Sequence, residues 1–164
     1  MDNQQSLRTN PYVTLFLIIS AIVCTTLIVQ FLFQITTLKD FMRIFMGLFF
    51  IVFGFFKILN WTGFAYAFAE YDIIAKNTIA YAYLYPLIEF FLGAMYLSNN
   101  ATFVIHVITG LIMFIGAIGV AQSLIYKKDI RCACLGTVIK LPVSWITLIE
   151  DIGMGLMALY MIFM

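Results

Sequence analysis

Two cysteines that are one residue apart, Cys132 and Cys134, are the clearest candidates for chemistry in this chain. They directly follow Arg131, and the segment around them carries three further basic residues, Lys127, Lys128 and Lys140. Nearby positive charge favours the thiolate, which is both the nucleophilic and the metal-binding form of cysteine. The spacing and the charge therefore predict thiol chemistry in a positively charged loop.

Two kinds of reaction suit thiols at this spacing. The pair can cycle between dithiol and disulfide, and a bridge across one intervening residue is strained and therefore easily reduced. Alternatively, Cys132 and Cys134 can bind a soft metal ion such as copper(I), zinc or mercury. A closed zinc site needs four ligands, and the sequence offers no second cysteine pair. The remaining alternative is that both are small residues of a turn without chemistry.

Charged residues inside apolar segments form the second group of candidates: Glu89, Lys57, Glu150 and Asp151. A carboxylate within a membrane costs several kcal/mol unless it is paired, protonated or facing water. We interpret Glu150 and Asp151 as proton acceptors or polar anchors, and Glu89 as a functional group or a neutral, hydrogen-bonded structural one. Lys57 either extends to the headgroups or pairs with a carboxylate. Judged by depth, Glu150 or Asp151 is an easier partner for it than Glu89.

Composition identifies the class of protein that must position these groups. The chain has 164 residues, of which 64% are hydrophobic and 10% charged. Globular chains average about 45–50% apolar and 25% charged residues. This composition therefore predicts an integral membrane protein that is in contact with a lipid bilayer. The net charge of +1 gives no indication of nucleic-acid binding, and three cysteines are too few for a secreted disulfide framework.

The apolar residues fall into five runs, each of about the 20 residues that a helix needs to cross a bilayer. These runs cover residues 12–35, 41–59, 78–97, 102–126 and 143–164. Residues 60–76 are too short and too polar to span, and their many aromatic rings suit the membrane interface or a segment that dips into the bundle. We predict an all-α polytopic membrane bundle that forms one domain, residues 1–164.

Other potential ligands have simpler interpretations. His106 starts the fourth span on the side opposite to the cysteines, and we interpret it as a hydrogen-bonded residue at the membrane interface, not a metal ligand. Cys24 is interpreted as a small buried apolar residue. Thioethers can bind copper(I), but we favour packing for the methionines that share helix faces, namely Met42, Met46, Met154, Met157, Met161 and Met164.

The basic residues predict an orientation. With five crossings, seven of the nine lie on the side of the N-terminus, and only Lys39 and Arg43 lie on the other. Short cytoplasmic loops carry the excess of Lys and Arg. We therefore expect a bacterial inner-membrane protein with its N-terminus and cysteine loop in the cytoplasm. Disulfides belong outside the cytosol, so this orientation favours a reduced dithiol or a metal-binding pair.

Several short motifs follow one another in a characteristic order. They are Arg43-x3-Gly47-x2-Phe50-x3-Gly54-x2-Lys57, Tyr85-Pro86-x2-Glu89, Cys132-Ala133-Cys134-Leu135-Gly136, Leu141-Pro142 and Thr147-Leu148-x-Glu150-Asp151. Together they resemble the MauE/DoxX family of redox-associated membrane proteins, and in particular its methylamine-utilisation MauE-like branch. The resemblance covers about residues 41–164. It implies a DoxX-like four-helix bundle, to which the first helix is an addition.

The resemblance also implies work beside thiol chemistry. MauE is associated with the maturation of a disulfide-rich methylamine dehydrogenase subunit, and other members resemble companions of heavy-metal carriers. We therefore expect a thiol-redox or maturation component with a protein partner. The alternatives are a soft-metal binding or transfer protein that uses the same cysteines, and a non-catalytic membrane subunit that assembles a partner.

Overall fold

The computed structural model describes residues 11–34, 37–126, 131–132, 141–142 and 145–163. In these ranges the chain forms helices α1 (Pro11–Phe33), α2 (Leu38–Leu59), α3 (Trp61–Ala69), α4 (Ile79–Leu97), α5 (Phe103–Ile125) and α6 (Trp145–Phe163). The only extended elements described are the two-residue strands β1 (Arg131–Cys132) and β2 (Leu141–Pro142), which pair antiparallel. The predicted all-α fold is confirmed.

Five of the helices, α1, α2, α4, α5 and α6, are long and apolar enough to cross a membrane. They have 19 to 23 residues each, close to the length of about 20 that a bilayer requires. Large apolar side chains cover their outer faces, and Phe16, Phe31, Ile125 and Phe163 are 69–85% exposed. Such faces are unfavourable in water and suit lipid. The chain is therefore an integral membrane protein, as its composition predicted.

The helices of the bundle pack as two antiparallel pairs, α2 with α4 and α5 with α6. Glycines set the distance between α2 and α4, because a Cβ atom at Gly93 would lie only 3.0 Å from the carbonyl oxygen of Gly47. A Cβ atom at Gly47 would lie 2.7 Å from Cγ of Leu97, whereas one at Gly54 would lie 3.5 Å from the carbonyl oxygen of Pro86, an ordinary contact distance. Small residues allow such close backbone approach in membranes. Gly47, Gly54 and Gly93 thus lie where α2 and α4 pack against each other, and the approach is tightest at Gly47 and Gly93.

Helix α1 lies against α2 at the edge of the bundle. Leu15 and Ile22 face inward and are buried, but most of the helix surface is exposed. Cys24 is among the exposed residues, so the interpretation of Cys24 as buried in the protein is wrong. Because α1 is apolar on all sides, its sequence did not indicate which face would contact α2.

The short helix α3 packs into the bundle and does not lie apart from it. The Asn60 side chain begins the helix by accepting a hydrogen bond from the backbone N–H of Gly63. Phe64 and Phe68 are buried, and both rings contact the ring of Tyr85 on α4. Of the two alternatives for residues 60–76, the structure supports the segment that dips into the bundle.

Asp72 closes the turn between α3 and α4. Its Oδ1 accepts hydrogen bonds from the backbone N–H groups of Ile74 at 2.9 Å and Ala75 at 2.8 Å. Its Oδ2 is buried without a hydrogen-bond partner among the described residues. Burial raises the pKa of Asp72, and the two backbone hydrogen bonds offset part of that rise.

This environment makes stability depend on pH. Since the pKa of Asp72 is higher in the folded than in the unfolded chain, the folded protein holds this proton more tightly. The stabilisation is complete below the ordinary value of 3.8 and is lost as pH rises through the folded-state pKa. Asp72→Asn keeps the Oδ1 acceptor but cannot ionise, so we expect its unfolding midpoint to fall less over this range. Thermal unfolding in detergent at a series of pH values tests this.

The exposed carboxylate of Glu70, two residues earlier, provides the control for Asp72→Asn. Glu70→Gln removes a carboxylate from the same turn but from the surface, and we expect it to retain the pH dependence of the wild type. Parallel curves for wild type and Asp72→Asn would contradict the role assigned to burial of Asp72.

Candidate functional site

A buried ion pair joins the two central helices. Lys57 of α2 donates a hydrogen bond from Nζ to Oε1 of Glu89 on α4. The side chains are only 8% and 2% exposed, respectively. An unpaired charge at this depth costs several kcal/mol, so each group requires the other. The structure thus joins two residues that the sequence had identified separately.

Aromatic rings surround the ammonium group of Lys57. Its Nζ lies 4.8 Å from the ring centre of Tyr85 and 5.6 Å from that of Phe64. Ring faces attract a cation electrostatically, and the attraction is stronger where water is excluded. Tyr85 comes from α4 and Phe64 from α3, so the inward packing of α3 completes the surroundings of the charge.

The two carboxylates of α6, Glu150 and Asp151, line the same cavity as the ion pair. We call Lys57, Glu89, Glu150 and Asp151 the carboxylate cage. The cavity measures about 30 Å³. Two carboxylate oxygens of the cage, Oε2 of Glu89 and Oε1 of Glu150, are buried without a hydrogen-bond partner among the described residues. The four residues predicted from their charge and depth therefore form one site.

The pairing within the cage differs from the sequence-based expectation. Depth along the helices favoured Glu150 or Asp151 as the partner of Lys57, and this prediction is wrong. Helix α2 packs along α4 and only sparsely against α6, so Lys57 faces α4. The flexible four-carbon side chain of lysine then reaches Glu89, although that residue lies deeper.

The charges of the cage do not balance. Three carboxylates share the cavity with one ammonium group, and full ionisation would leave an excess of negative charge in a buried space. Each uncompensated buried charge costs several kcal/mol, a cost that protonation removes. Protons shared among neighbouring carboxyl groups can also move between them. The arrangement is suited to holding and transferring protons.

The structure describes the cysteine pair only in part. Cys132 lies in β1, where its backbone pairs with that of Leu141, whereas Cys134 lies outside the described residues. The backbone of β1 approaches α3, the helix whose Phe64 and Phe68 line the cage cavity. The strand that contains Cys132 therefore lies next to one of the helices that enclose the carboxylates.

His106 is part of a separate hydrogen-bonded network. Its Nδ1 lies 3.0 Å from the hydroxyl oxygen of Tyr96, which also donates to Oγ1 of Thr109 at 3.3 Å. All three side chains are buried. The interpretation of His106 as a hydrogen-bonded residue is consistent with this network.

No group of three or more potential His, Cys, Asp or Glu ligands is arranged for a metal ion in the part of the chain that the structure describes. The methionines seen there occupy packing positions, as expected. Met46, Met154 and Met161 belong to the buried core, and Met42 and Met157 pack against it.

Sequence reasoning missed two features of the site. It did not assign Phe64 as a contact of Lys57, although its position in the aromatic segment after α2 was a usable signal. It also gave no role to Asp72, whose burial depends on α5. Gly119 of α5 packs directly against the turn that contains Asp72: a Cβ atom added at Gly119 would lie 2.6 Å from the carbonyl oxygen of Tyr71.

Comparison with known proteins identifies the family. The family model described as methylamine utilisation protein MauE matches residues 12–164. The match includes α1, which the sequence resemblance had left outside, and continues through the cysteine segment to the end of α6. Searches of curated proteins and of solved structures found no match. Because the family model covers nearly the whole chain, this protein belongs to the MauE family.

Proposed function

We propose that the protein is a thiol-redox or maturation component of the membrane, in which Cys132 and Cys134 exchange a disulfide with a partner protein. One observation supports the proposal: strand β1, which contains Cys132, contacts α3, and Phe64 and Phe68 of α3 line the cavity of the carboxylate cage. Thiol exchange moves protons together with electrons. Carboxylates close to the thiol pair could therefore accept the protons that the thiols release.

The reaction is a balanced exchange between two proteins. A thiolate of the partner attacks the Cys132–Cys134 disulfide, so that a mixed disulfide forms while the original S–S bond breaks. The second partner thiolate then attacks the mixed disulfide, which leaves a disulfide on the partner and a dithiol at Cys132 and Cys134. The partner is oxidised and the pair is reduced, and the reverse direction uses the same steps. In this proposal Glu150 and Asp151 accept and return the protons.

The proposal includes an orientation. Seven of the nine basic residues fall on the side of the N-terminus and the cysteine loop, which favours the cytoplasmic face of a bacterial inner membrane. Cytosolic reductants keep thiols reduced, so the resting pair on that side is a dithiol. Labelling of the thiols from each side of intact cells tests the orientation.

Trapping of the mixed disulfide tests the function. Cys132→Ser and Cys134→Ser each leave one thiol that can join a partner but cannot release it. We expect one of the two variants to accumulate a covalent complex that is seen on non-reducing gels and lost on reduction. Cys24→Ser, which alters the exposed cysteine of α1, is the control and should behave as the wild type. If neither variant forms a complex and the pair keeps one redox state over a wide range of potentials, the proposal is wrong.

The same variants distinguish the alternative functions. Metal analysis of the purified protein, with and without Cys132→Ser, tests for a soft-metal site, because thiolates bind copper(I), zinc and mercury. Metal that is bound by the wild type and lost in Cys132→Ser would favour metal binding or transfer to a carrier protein. Wild-type behaviour of both serine variants in every assay would favour a non-catalytic assembly subunit.

A further inference from the structure

The cavity of the carboxylate cage has the size and the polar groups of a water site. About 30 Å³ is enough for one or two water molecules, and a buried water needs two or more polar partners. Oε2 of Glu89 belongs to a side chain that is 2% exposed, lines the cavity and has no hydrogen-bond partner among the described residues. Oε1 of Glu150 is likewise unpartnered there.

Other ligands suit this cavity less well than water. The ammonium group of Lys57 already occupies the faces of Phe64 and Tyr85, and it would repel a second cation. The described side chains do not form a metal-binding cluster. The volume of about 30 Å³ is also far below the roughly 300–1,000 Å³ of a site for an organic ligand. Of the ligands considered, water and the protons that it carries fit the cavity best.

A second, polar cavity lies beside the first. We call it the polar cleft; it measures about 340 Å³, and its lining includes Glu70, Tyr71, Lys76, Asn77, Gln122 and Ser123. Tyr71 lines both the polar cleft and the cage cavity. The cleft borders the end of α5 and the turn after α3, and most of its lining residues are exposed. One residue thus borders both the cleft, which has an exposed polar lining, and the cavity of the buried carboxylates.

We propose that the carboxylate cage is a hydrated proton-exchange site that communicates with the aqueous surface through the polar cleft beside Tyr71. Water bridges Oε2 of Glu89 and the carboxylates of α6, and the cage holds at least one proton when the surrounding solution is neutral. This role does not depend on the cysteines. In this proposal the ligand of the cage is water with an exchangeable proton, and the polar cleft is the route by which water and protons enter.

The groups that face the cage come from every element packed around it. Lys57 comes from α2, Asp72 from the turn after α3, and Glu150 and Asp151 from α6. Helix α4 provides Glu89 together with Tyr81 and Tyr85, whereas α5 contributes Met113 and Gly116, which do not titrate. Lys57 is the only cation among the described side chains that line the cavity. Proton binding is therefore what reduces the negative charge of the cage.

Infrared spectroscopy of the full-length protein in lipid nanodiscs tests the proposal. Protonated carboxyl groups absorb apart from ionised ones, and their band shifts when the proton is replaced by deuterium. We expect the wild type at neutral pH to show such a band and to shift it when transferred to D₂O. Asp151→Asn or Glu150→Gln should reduce the band. Asp40→Asn, at the exposed start of α2, should leave it unchanged.

A pair of bulky substitutions on α5 tests the route. Gln122 lines the polar cleft, whereas Ile118 is an exposed apolar residue one turn earlier on the same helix. Gln122→Trp should slow the deuterium shift of the band, and Ile118→Trp should not. The proton-exchange site is overturned if the wild type has no protonated carboxyl band at neutral pH, if its band does not shift in D₂O, or if neither Asp151→Asn nor Glu150→Gln reduces the band. Equal exchange rates in the two Trp variants overturn the route.

Discussion

Glu89→Gln should lower the free energy of unfolding by about 3–5 kcal/mol, the usual cost of removing one partner from a buried ion pair. The variant leaves the ammonium group of Lys57 buried among rings without the carboxylate that neutralises it. Glutamine keeps nearly the same volume and one carbonyl acceptor, so the loss measures charge and not packing. Unfolding of the purified protein in detergent, followed by helix content against denaturant, gives the value.

Removing both charges should cost much less than removing either one. When a buried ion pair is replaced by apolar residues of similar size, the change is often neutral or stabilising. We therefore expect Lys57→Met combined with Glu89→Met to be more stable than either single variant. The four measurements form a double-mutant cycle, whose coupling energy isolates the pair. Single losses that simply add in the double variant would show that the two side chains do not interact.

The second ion pair of the described chain provides a matched control. Arg43 and Asp40 on α2 are separated by 3.4 Å, but their side chains are 12% and 28% exposed. Pairs accessible to solvent contribute about 0–1 kcal/mol, so Asp40→Asn should cost far less than Glu89→Gln. Similar losses in both variants would mean that burial does not determine the value of the pair at Lys57.

The membrane spans were predictable because the bilayer itself imposes their length and composition. A run of about 20 apolar residues has few alternatives to a spanning helix. Close packing of another helix on α2 was also predictable from Gly47 and Gly54, although these glycines do not indicate which helix it is. In both cases the signal lies within one segment of sequence and needs no knowledge of neighbouring helices.

The partner of Lys57 was not predictable in the same way. The residue's charge and approximate depth follow from the sequence, but its partner depends on which helix α2 faces. The prediction that Cys24 is buried was wrong for a related reason. A helix that is apolar on all sides has no preferred face, so the sequence does not show which residues contact a neighbouring helix. Residues of the candidate site were therefore found individually, and their arrangement required the packing of the helices.

Gly119→Ala should be among the most damaging single-methyl changes in the described chain. A Cβ atom at Gly119 would lie 2.6 Å from the carbonyl oxygen of Tyr71 and 3.2 Å from the Cα atom of Asp72. Both contacts are with backbone, so no side chain can rotate away. Overpacking of this kind costs typically about 1–3 kcal/mol, and here it forces the turn after α3 away from α5.

Two other glycines calibrate this loss. At Gly93 an added methyl group would meet Ile51 side-chain atoms at 2.9 and 3.0 Å and the carbonyl oxygen of Gly47 at 3.0 Å, so part of the strain can relax. At Gly153 nothing lies within 4 Å, and alanine favours a helix over glycine by about 1 kcal/mol. We expect unfolding midpoints to fall in the order Gly153→Ala, Gly93→Ala, Gly119→Ala.

The Gly119 substitution also has a consequence that differs from lost stability. Tyr71 lines both the polar cleft and the cage cavity, so displacing its backbone changes the boundary between them. We expect Gly119→Ala to alter the rate of deuterium exchange at the cage, whereas Gly93→Ala, which acts between α2 and α4, should be destabilising without that change. Equal stability of Gly119→Ala and Gly153→Ala would contradict the packing of the turn against α5. If Gly119→Ala is destabilised but its exchange rate is unchanged, the position of Tyr71 contributes to stability and does not control the access of water to the carboxylates.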